Sequence, residues 1–201
     1  MLKNIIFDFG DVFINLDKRA VFKGLGEHDI NLVIAPELVD LNERFEVGAI
    51  SPTEFVSEWG AIIPKLDAQE IVRIWNSILL DFPDYRLEFL EQLAAEKKYR
   101  LFLLSNTNAL HIPKVQEIMG AEKYGRFKNC FERFYLSHEI GLRKPNFDIY
   151  EFVLTENRLL AKETLFIDDT EKNTDAAASL GIRVWHLKVG KEDIIQLSTR
   201  L

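Results

Sequence analysis

Three acidic residues stand where carboxylates would do chemistry. Asp8 follows the apolar run Ile5-Ile6-Phe7 and precedes Gly10, and the pair Asp168-Asp169 follows the apolar residues 165–167. A short apolar run that stops at a polar residue reads as a buried strand of a parallel sheet. Each acid is therefore expected at the carboxyl end of a strand, the edge where open α/β sheets gather their ligands. If the two strands are neighbours, the three carboxylates converge across one crevice, repel one another and have raised pKa values. A hard divalent ion with oxygen ligands relieves that repulsion, and magnesium suits a few carboxylates completed by water and a substrate phosphate.

Two further segments could hold such a phosphate. Ser105-Asn106-Thr107-Asn108 follows residues 100–104 and offers a hydroxyl, amides and backbone N–H groups at a strand end; alone, it is also an ordinary turn composition. Gly141-Leu142-Arg143-Lys144-Pro145 places a lysine before a proline, hence in an extended loop, from which it can reach the sheet edge as a point charge. Alone, that lysine reads equally well as a solvated surface residue.

The elements that must position these residues alternate along the chain. Apolar runs at 5–7, 101–104, 134–136, 165–167 and 182–187 read as strands. Between them, residues 85–98 place Leu87, Leu90, Leu93 and Ala94 on one helical face, and residues 147–160 do the same with Phe147, Tyr150, Val153 and Leu154. Residues 173–180 are Ala-rich and stop at Gly181, a helix C-terminal signal. This alternation predicts an α/β fold with a doubly wound, mostly parallel sheet of order 3-2-1-4-5. Residues 17–83 differ, with helical signals and no convincing strand. Ser51-Pro52-Thr53-Glu54 reads as a helix start, followed by Phe55, Trp59 and Ile62 at helical spacing, and then by Trp75, Ile78 and Leu79. A connection of about 65 residues far exceeds an ordinary crossover, so the segment is expected to form a small helical bundle inserted between the first two strands. The expected domains are residues 1–16 with 84–201 as the core, and 17–83 as the insert.

Composition bounds the alternatives. The 201 residues, 47% hydrophobic and 28% charged, suit one α/β core with a modest insertion. Apolar runs fall short of the roughly 20 residues that span a bilayer, and the N-terminal apolar stretch, broken by Asp8 and Asp11, does not read as a signal peptide. A net charge of −7 disfavours nucleic acid as a partner. The single cysteine, Cys130, excludes an intrachain disulfide and fits a reducing cytoplasm. The expected partner is a small phosphorylated metabolite, with no nucleic acid and no membrane, for a cytoplasmic monomer or weak homodimer.

Taken in order, Phe7-Asp8-Phe9-Gly10-Asp11-Val12, Leu104-Ser105-Asn106, Lys144-Pro145 and Ile167-Asp168-Asp169 make the chain resemble the haloacid dehalogenase-like superfamily along nearly its whole length. The insert then looks like that superfamily's helical cap. The text around residues 104–108 and 135–145 is similar to the sugar-phosphate phosphatases whose first motif reads Asp-x-Gly-Asn, one of whose activities is α-glucose-1-phosphate hydrolysis. The resemblance implies a magnesium-dependent phosphatase in which Asp8 attacks phosphorus and forms an aspartyl-phosphate. It implies magnesium between Asp8, the Gly10 carbonyl and Asp169, with Asp168 as supporting or alternate ligand. Ser105, the Asn106 backbone and Lys144 would hold the phosphoryl oxygens, and Asn173 would support the metal's waters or Lys144. In the cap, Glu43, Arg44 and Glu46 are candidates for the pocket, with Arg44 the natural partner of an anionic substrate. His111 could face the cap crevice or lie on a helix face; Asp17 could touch substrate or cap the helix that follows it.

One departure matters. Most phosphatases of this superfamily carry a general acid two residues after the nucleophile, where this chain has Gly10. Asp11 acting through a water, or a substrate with an acidic leaving group such as an anomeric hydroxyl, would compensate for help typically worth about 10²–10⁴-fold. Two other readings share much of the pattern. A haloacid dehalogenase would use Asp8 on carbon without metal, but the costly Asp168-Asp169 pair argues against it. A non-catalytic phosphate-binding module is kept open by Gly10, which also disfavours a phosphomutase.

Overall fold

The computed structural model describes residues 1–28, 30 and 36–201. Five strands, β1 (Asn4–Phe7), β2 (Arg100–Ser105), β3 (Arg133–Leu136), β4 (Thr164–Asp168) and β5 (Arg183–His186), form one parallel sheet of order 3-2-1-4-5, as the alternation of elements predicts. The central strands β1, β2 and β4 are buried on both faces because their side chains alternate between two cores. Ile5, Phe7, Leu101, Leu103, Leu165 and Ile167 enter one cluster, and Ile6, Phe102, Leu104 and Phe166 enter the other. The first is covered by α5 (Asp84–Ala95), α6 (His111–Met119), α7 (Ala121–Asn129) and a 3₁₀ turn (Ile194–Thr199); the second by α9 (Phe147–Glu156) and α10 (Glu171–Ser179). A short helix, α8 (Ser137–Ile140), follows β3 directly.

Between β1 and α5 lie α1 (Ala20–Gly26), α2 (Pro36–Glu46), α3 (Pro52–Ile62) and α4 (Ala68–Asn76). They bury a third cluster of their own, centred on Phe45, Phe55, Trp59, Ile71 and Ile74, with the Phe45 and Phe55 rings stacked 4.1 Å apart. The chain enters and leaves this bundle through two strands of backbone lying side by side. Leu16 bridges Leu79 antiparallel, and Asn15 and Leu80 exchange bonds with Asp81 and Asn15 at 2.9 and 3.0 Å. Ser51 and Glu54 form the capping box expected at the start of α3. No described helix is long and apolar enough to cross a membrane.

Several local expectations are corrected. Helix α4 ends at Asn76, so Ile78 and Leu79 belong to the returning backbone, and Ile71 and Ile74 supply its buried face. On α3, Ile63 at the C-cap is buried where Ile62 is exposed, because the spacing of four from Trp59 keeps it over the same stripe. Phe147 and Leu160 are exposed, since the face of α9 is built from Ile149, Tyr150 and Val153 and the helix stops before Leu160. Helix α1 begins at Ala20; Asp17 precedes it and accepts from the Arg19 N–H at 2.9 Å, closing an Asx turn while its other oxygen pairs with Lys23.

Candidate active site

Register brings the acids together. Phe7 lies opposite Ile167 in β4, so the next residue on each strand, Asp8 and Asp168, emerge side by side at the sheet's carboxyl edge, with the Asp8 N–H bonded to the Ile167 carbonyl at 2.8 Å. One carboxylate oxygen from each of Asp8, Asp168 and Asp169 falls within 4.8 Å of the others. Above them is a crevice of about 300 Å³ lined by Asp8, Gly10, Lys18, Asn106, Lys144 and Asp169, among others.

A buried cation holds two of these acids. The Lys144 ammonium donates to Asp8 Oδ1 and to Asp168 Oδ2, each at 2.7 Å, with Lys144 and Asp168 shut off from solvent. Asn106 explains how Lys144 is aimed. Its side-chain carbonyl accepts from the Lys144 N–H at 2.9 Å, and its side-chain amide donates to the Lys144 carbonyl at 2.8 Å, a two-point clamp on that residue's backbone. Burial pushes the Asp8 carboxyl up to about 7, reinforced by Asp168 and Asp169 and opposed by Lys144. Burial alone would lower Lys144, but the two carboxylates outweigh it and hold the ammonium above its ordinary range.

The two adjacent acids have different tasks. Asp168 is saturated: besides Lys144, it accepts from the Asn173 amide at 3.0 and 3.1 Å and from the Thr170 N–H at 2.8 Å. Asn173, expected near the metal's waters or Lys144, thus holds Asp168 in place. Asp169 instead turns to the crevice, where Lys18 donates to it; burial raises its carboxyl pKa, with Lys18 opposing. Ser105 ends β2 with its hydroxyl 3.4 Å from the Asn106 carbonyl and, among the described residues, no closer partner. A compact set of carboxylate oxygens, with the neighbouring Gly10 carbonyl, matches the hard, oxygen-only donors that magnesium takes.

Gly10 has a steric counterpart. A Cβ at this position would stand 2.7 Å from Leu16 Cδ1, so the space for a side chain two residues after Asp8 is filled from within the same loop. Asp11 has φ +53°, a conformation that Asp tolerates better than most residues. Its Oδ1 accepts from the Leu16 N–H at 3.0 Å and its Oδ2 faces Lys18 at 3.0 Å, so this carboxylate is already engaged.

The bundle meets the core beside this edge. Arg143, next to Lys144, bonds Glu43 at 3.0 Å and Glu46 at 3.0 Å on α2. Burial raises the Glu46 carboxyl, with Arg143 opposing. Arg44, in contrast, is not brought to the crevice: its guanidinium is taken by Asp40 at 2.9 Å and by Glu58 on α3, because its side chain leaves α2 toward the bundle's outer face. His111 opens helix α6 and turns toward the bundle rather than lining the crevice around Asp8. It stacks on Trp75 of α4 with ring centroids 5.3 Å apart, accepts from the Asn108 amide at Nδ1 (3.1 Å) and donates from Nε2 to the Trp75 carbonyl (3.3 Å), joining bundle to core. Burial pushes its pKa down to about 4, with the Trp75 bond opposing. Sequence reasoning missed Lys18 and Arg143; the available signals were that Arg143 adjoins the motif lysine and that Lys18 follows Asp11 by seven residues.

The chain matches the family model for haloacid dehalogenase-like hydrolases over residues 2–181. It is 27% identical over 198 residues to the D-ribitol-5-phosphate phosphatase of Bacteroides thetaiotaomicron, covering 96% of this chain and 95% of that one. Among solved structures, the HAD family enzyme BT-2542 of the same organism superposes with a TM-score of 0.84 at 32% identity, over 94% of this chain and 95% of that one. A wild-type structure of that enzyme, in complex with magnesium and inorganic phosphate, gives a TM-score of 0.78 at 32% identity over 96% and 97%.

Proposed function

This chain belongs to the haloacid dehalogenase-like hydrolases, and from that premise we propose that it is a magnesium-dependent phosphatase that takes the phosphoryl group of a sugar or sugar-alcohol monoester onto Asp8. It is a phosphoric monoester hydrolase, and magnesium is its cofactor. The observation that carries the reading is Asp8 in one crevice with Asp169, its carboxylate held 2.7 Å from the buried Lys144 ammonium.

In this reading, Asp8 is the nucleophile and Lys144 fixes its orientation and offsets charge on the transferring phosphoryl oxygens. The Ser105 hydroxyl and the Asn106 backbone contribute further donors there, while the Asn106 side chain keeps Lys144 aimed. Asp168, itself fixed by Asn173, holds Lys144 from the far side. Magnesium, held by Asp8, Asp169 and the Gly10 carbonyl, would supply the positive charge that lets a carboxylate approach a phosphate dianion. The bundle of residues 17–83 is the cap that closes over this crevice, with 1–16 and 84–201 as the core. The substrate assignment draws on the sugar-alcohol phosphate named for the Bacteroides relative.

The test is phosphate release from sugar, sugar-alcohol, nucleotide and phosphoacid monoesters with magnesium, with excess EDTA, and with Asp8→Asn. Turnover that needs both magnesium and Asp8 is expected. Halide release from 2-haloacids that survives EDTA would mean dehalogenation. Phosphate binding without turnover would mean the non-catalytic module that Gly10 suggests.

A further inference from the structure

We propose that Lys18, held by Asp11, supplies to the leaving-group oxygen the positive charge and hydrogen bond that no side chain at position 10 can supply. The inference rests on the phosphatase reading above. Leu16 fills the space beside Gly10, and the Asp11 carboxylate is divided between the Leu16 N–H and Lys18. Of the other protic side chains lining the crevice, Lys144 is buried between Asp8 and Asp168, Asn106 clamps Lys144, Asn173 holds Asp168, Arg143 is bonded to α2, the Thr170 hydroxyl lies 3.5 Å from Asp169, and Lys172, exposed in the first turn of α10, has no bond among the described residues to the loop that follows Asp8. Lys18 is different. Its ammonium reaches Asp169, one oxygen of which lies within 4.8 Å of an oxygen of Asp8, yet half of its side chain stays open to solvent, and one of its two anchors, Asp11, belongs to the loop following the nucleophile.

The chemistry balances without any change in the charge of Lys18. An Asp8 oxygen forms a bond to phosphorus as the bond from phosphorus to the ester oxygen breaks, and that oxygen keeps the electron pair. The Lys18 N–H donates a hydrogen bond to it, and it takes its proton from water. A second water then attacks phosphorus, the bond to Asp8 breaks, and one proton leaves to solvent with inorganic phosphate. A fixed donor aimed at charge that develops only in the transition state lowers the barrier most where that charge is largest. The benefit therefore grows as the leaving group becomes less acidic.

The experiment compares wild type, Lys18→Met, Lys18→Arg and Asp11→Asn on phenyl phosphates from 4-nitrophenyl to 4-methoxyphenyl and on a sugar-alcohol phosphate. Magnesium affinity is measured calorimetrically for each variant. Lys18→Met should lose about 100-fold in kcat/KM on the sugar-alcohol ester, the scale of one lost transition-state donor. On 4-nitrophenyl phosphate it should lose less than about fivefold, so the dependence on leaving-group acidity steepens. Lys18→Arg should recover most of the loss, and Asp11→Asn should fall between. Equal losses across the series overturn the proposal, as does a loss tracked by weakened magnesium binding, which would place the effect at Asp169. Wild-type turnover of none of these esters sinks the phosphatase reading itself and this inference with it.

Discussion

The Lys144 ammonium lies 2.7 Å from Asp8 Oδ1 in a site where both groups are nearly closed to solvent, and the same nitrogen is 2.7 Å from Asp168. Removing a buried cation leaves its partners uncompensated, which typically costs about 3–5 kcal/mol. Lys144→Met should lose stability on that scale in urea unfolding with EDTA. Adding Asp168→Asn should recover part of the loss, because the two sites are directly coupled. Purely additive effects would show that the lysine does not neutralise the pair.

Asp8 gives the opposite sign. Its carboxyl is pushed up to about 7 in the folded chain from an ordinary 3.8, mainly by burial. A raised carboxyl contributes stability that is complete below pH 3.8 and is lost as pH rises through about 7. Without metal, Asp8→Asn should therefore melt higher than wild type, by a margin that widens across that window and levels above it. Magnesium should reverse the ranking by stabilising wild type more than the variant. Thermal melts at several pH values, with magnesium or EDTA, read both effects.

His111 should make the junction of bundle and core acid-sensitive. Its pKa falls from 6.5 to about 4 on folding through burial, and Asn108 already donates to the nitrogen that a proton would occupy. The unfolded chain then binds the proton first, so stability falls as pH drops through 6.5 and the loss is complete near 4, roughly 3 kcal/mol in all. His111→Gln should unfold with a shallower loss between pH 7 and 4 than wild type. Parallel curves would assign the acid sensitivity elsewhere.

Gly48 should fix where the cap sits. At φ +69°, it lies so close to α8 that a Cβ would stand 2.2 Å from the His138 carbonyl oxygen. Gly48→Val should cost at least about 1–2 kcal/mol from its left-handed backbone alone. The clash should also lift α2 and separate Glu43 and Glu46 from Arg143. A rise in KM of about tenfold, larger than the change in kcat, is expected of a displaced cap. A variant that is destabilised with unchanged kinetics would make Gly48 purely structural.

The sheet was legible because its central strands are buried on both faces: Ile5-Ile6-Phe7 and residues 101–104 have no polar member to blur their ends, and Asp8 and Ser105 mark where each stops. The chemistry at those ends followed from topology, since β1 and β4 are neighbours and their last residues must meet. What escaped depends on contacts across long stretches of chain. Lys18 meets Asp169 over 151 residues, and Arg143 meets Glu43 over 100; neither pairing leaves a periodic trace. Arg44 was assigned to the pocket and Arg143 was not, because both stand beside plausible partners and only the rotation of α2 decides between them. Phe147 and Ile62 went wrong for a related reason: near a helix end, a shift of one residue moves a side chain by 100°, enough to leave the buried stripe.

The Leu16 methyl beside Gly10 also constrains how such a chain could change over generations. A replacement that put aspartate at position 10 would press on the far end of the Leu16 side chain, which must swing aside to admit it. The rotamer of residue 16 is thus coupled to the side chain at position 10, and a lineage without an acid here depends on substrates that leave readily, or on a neighbouring cation that helps them leave.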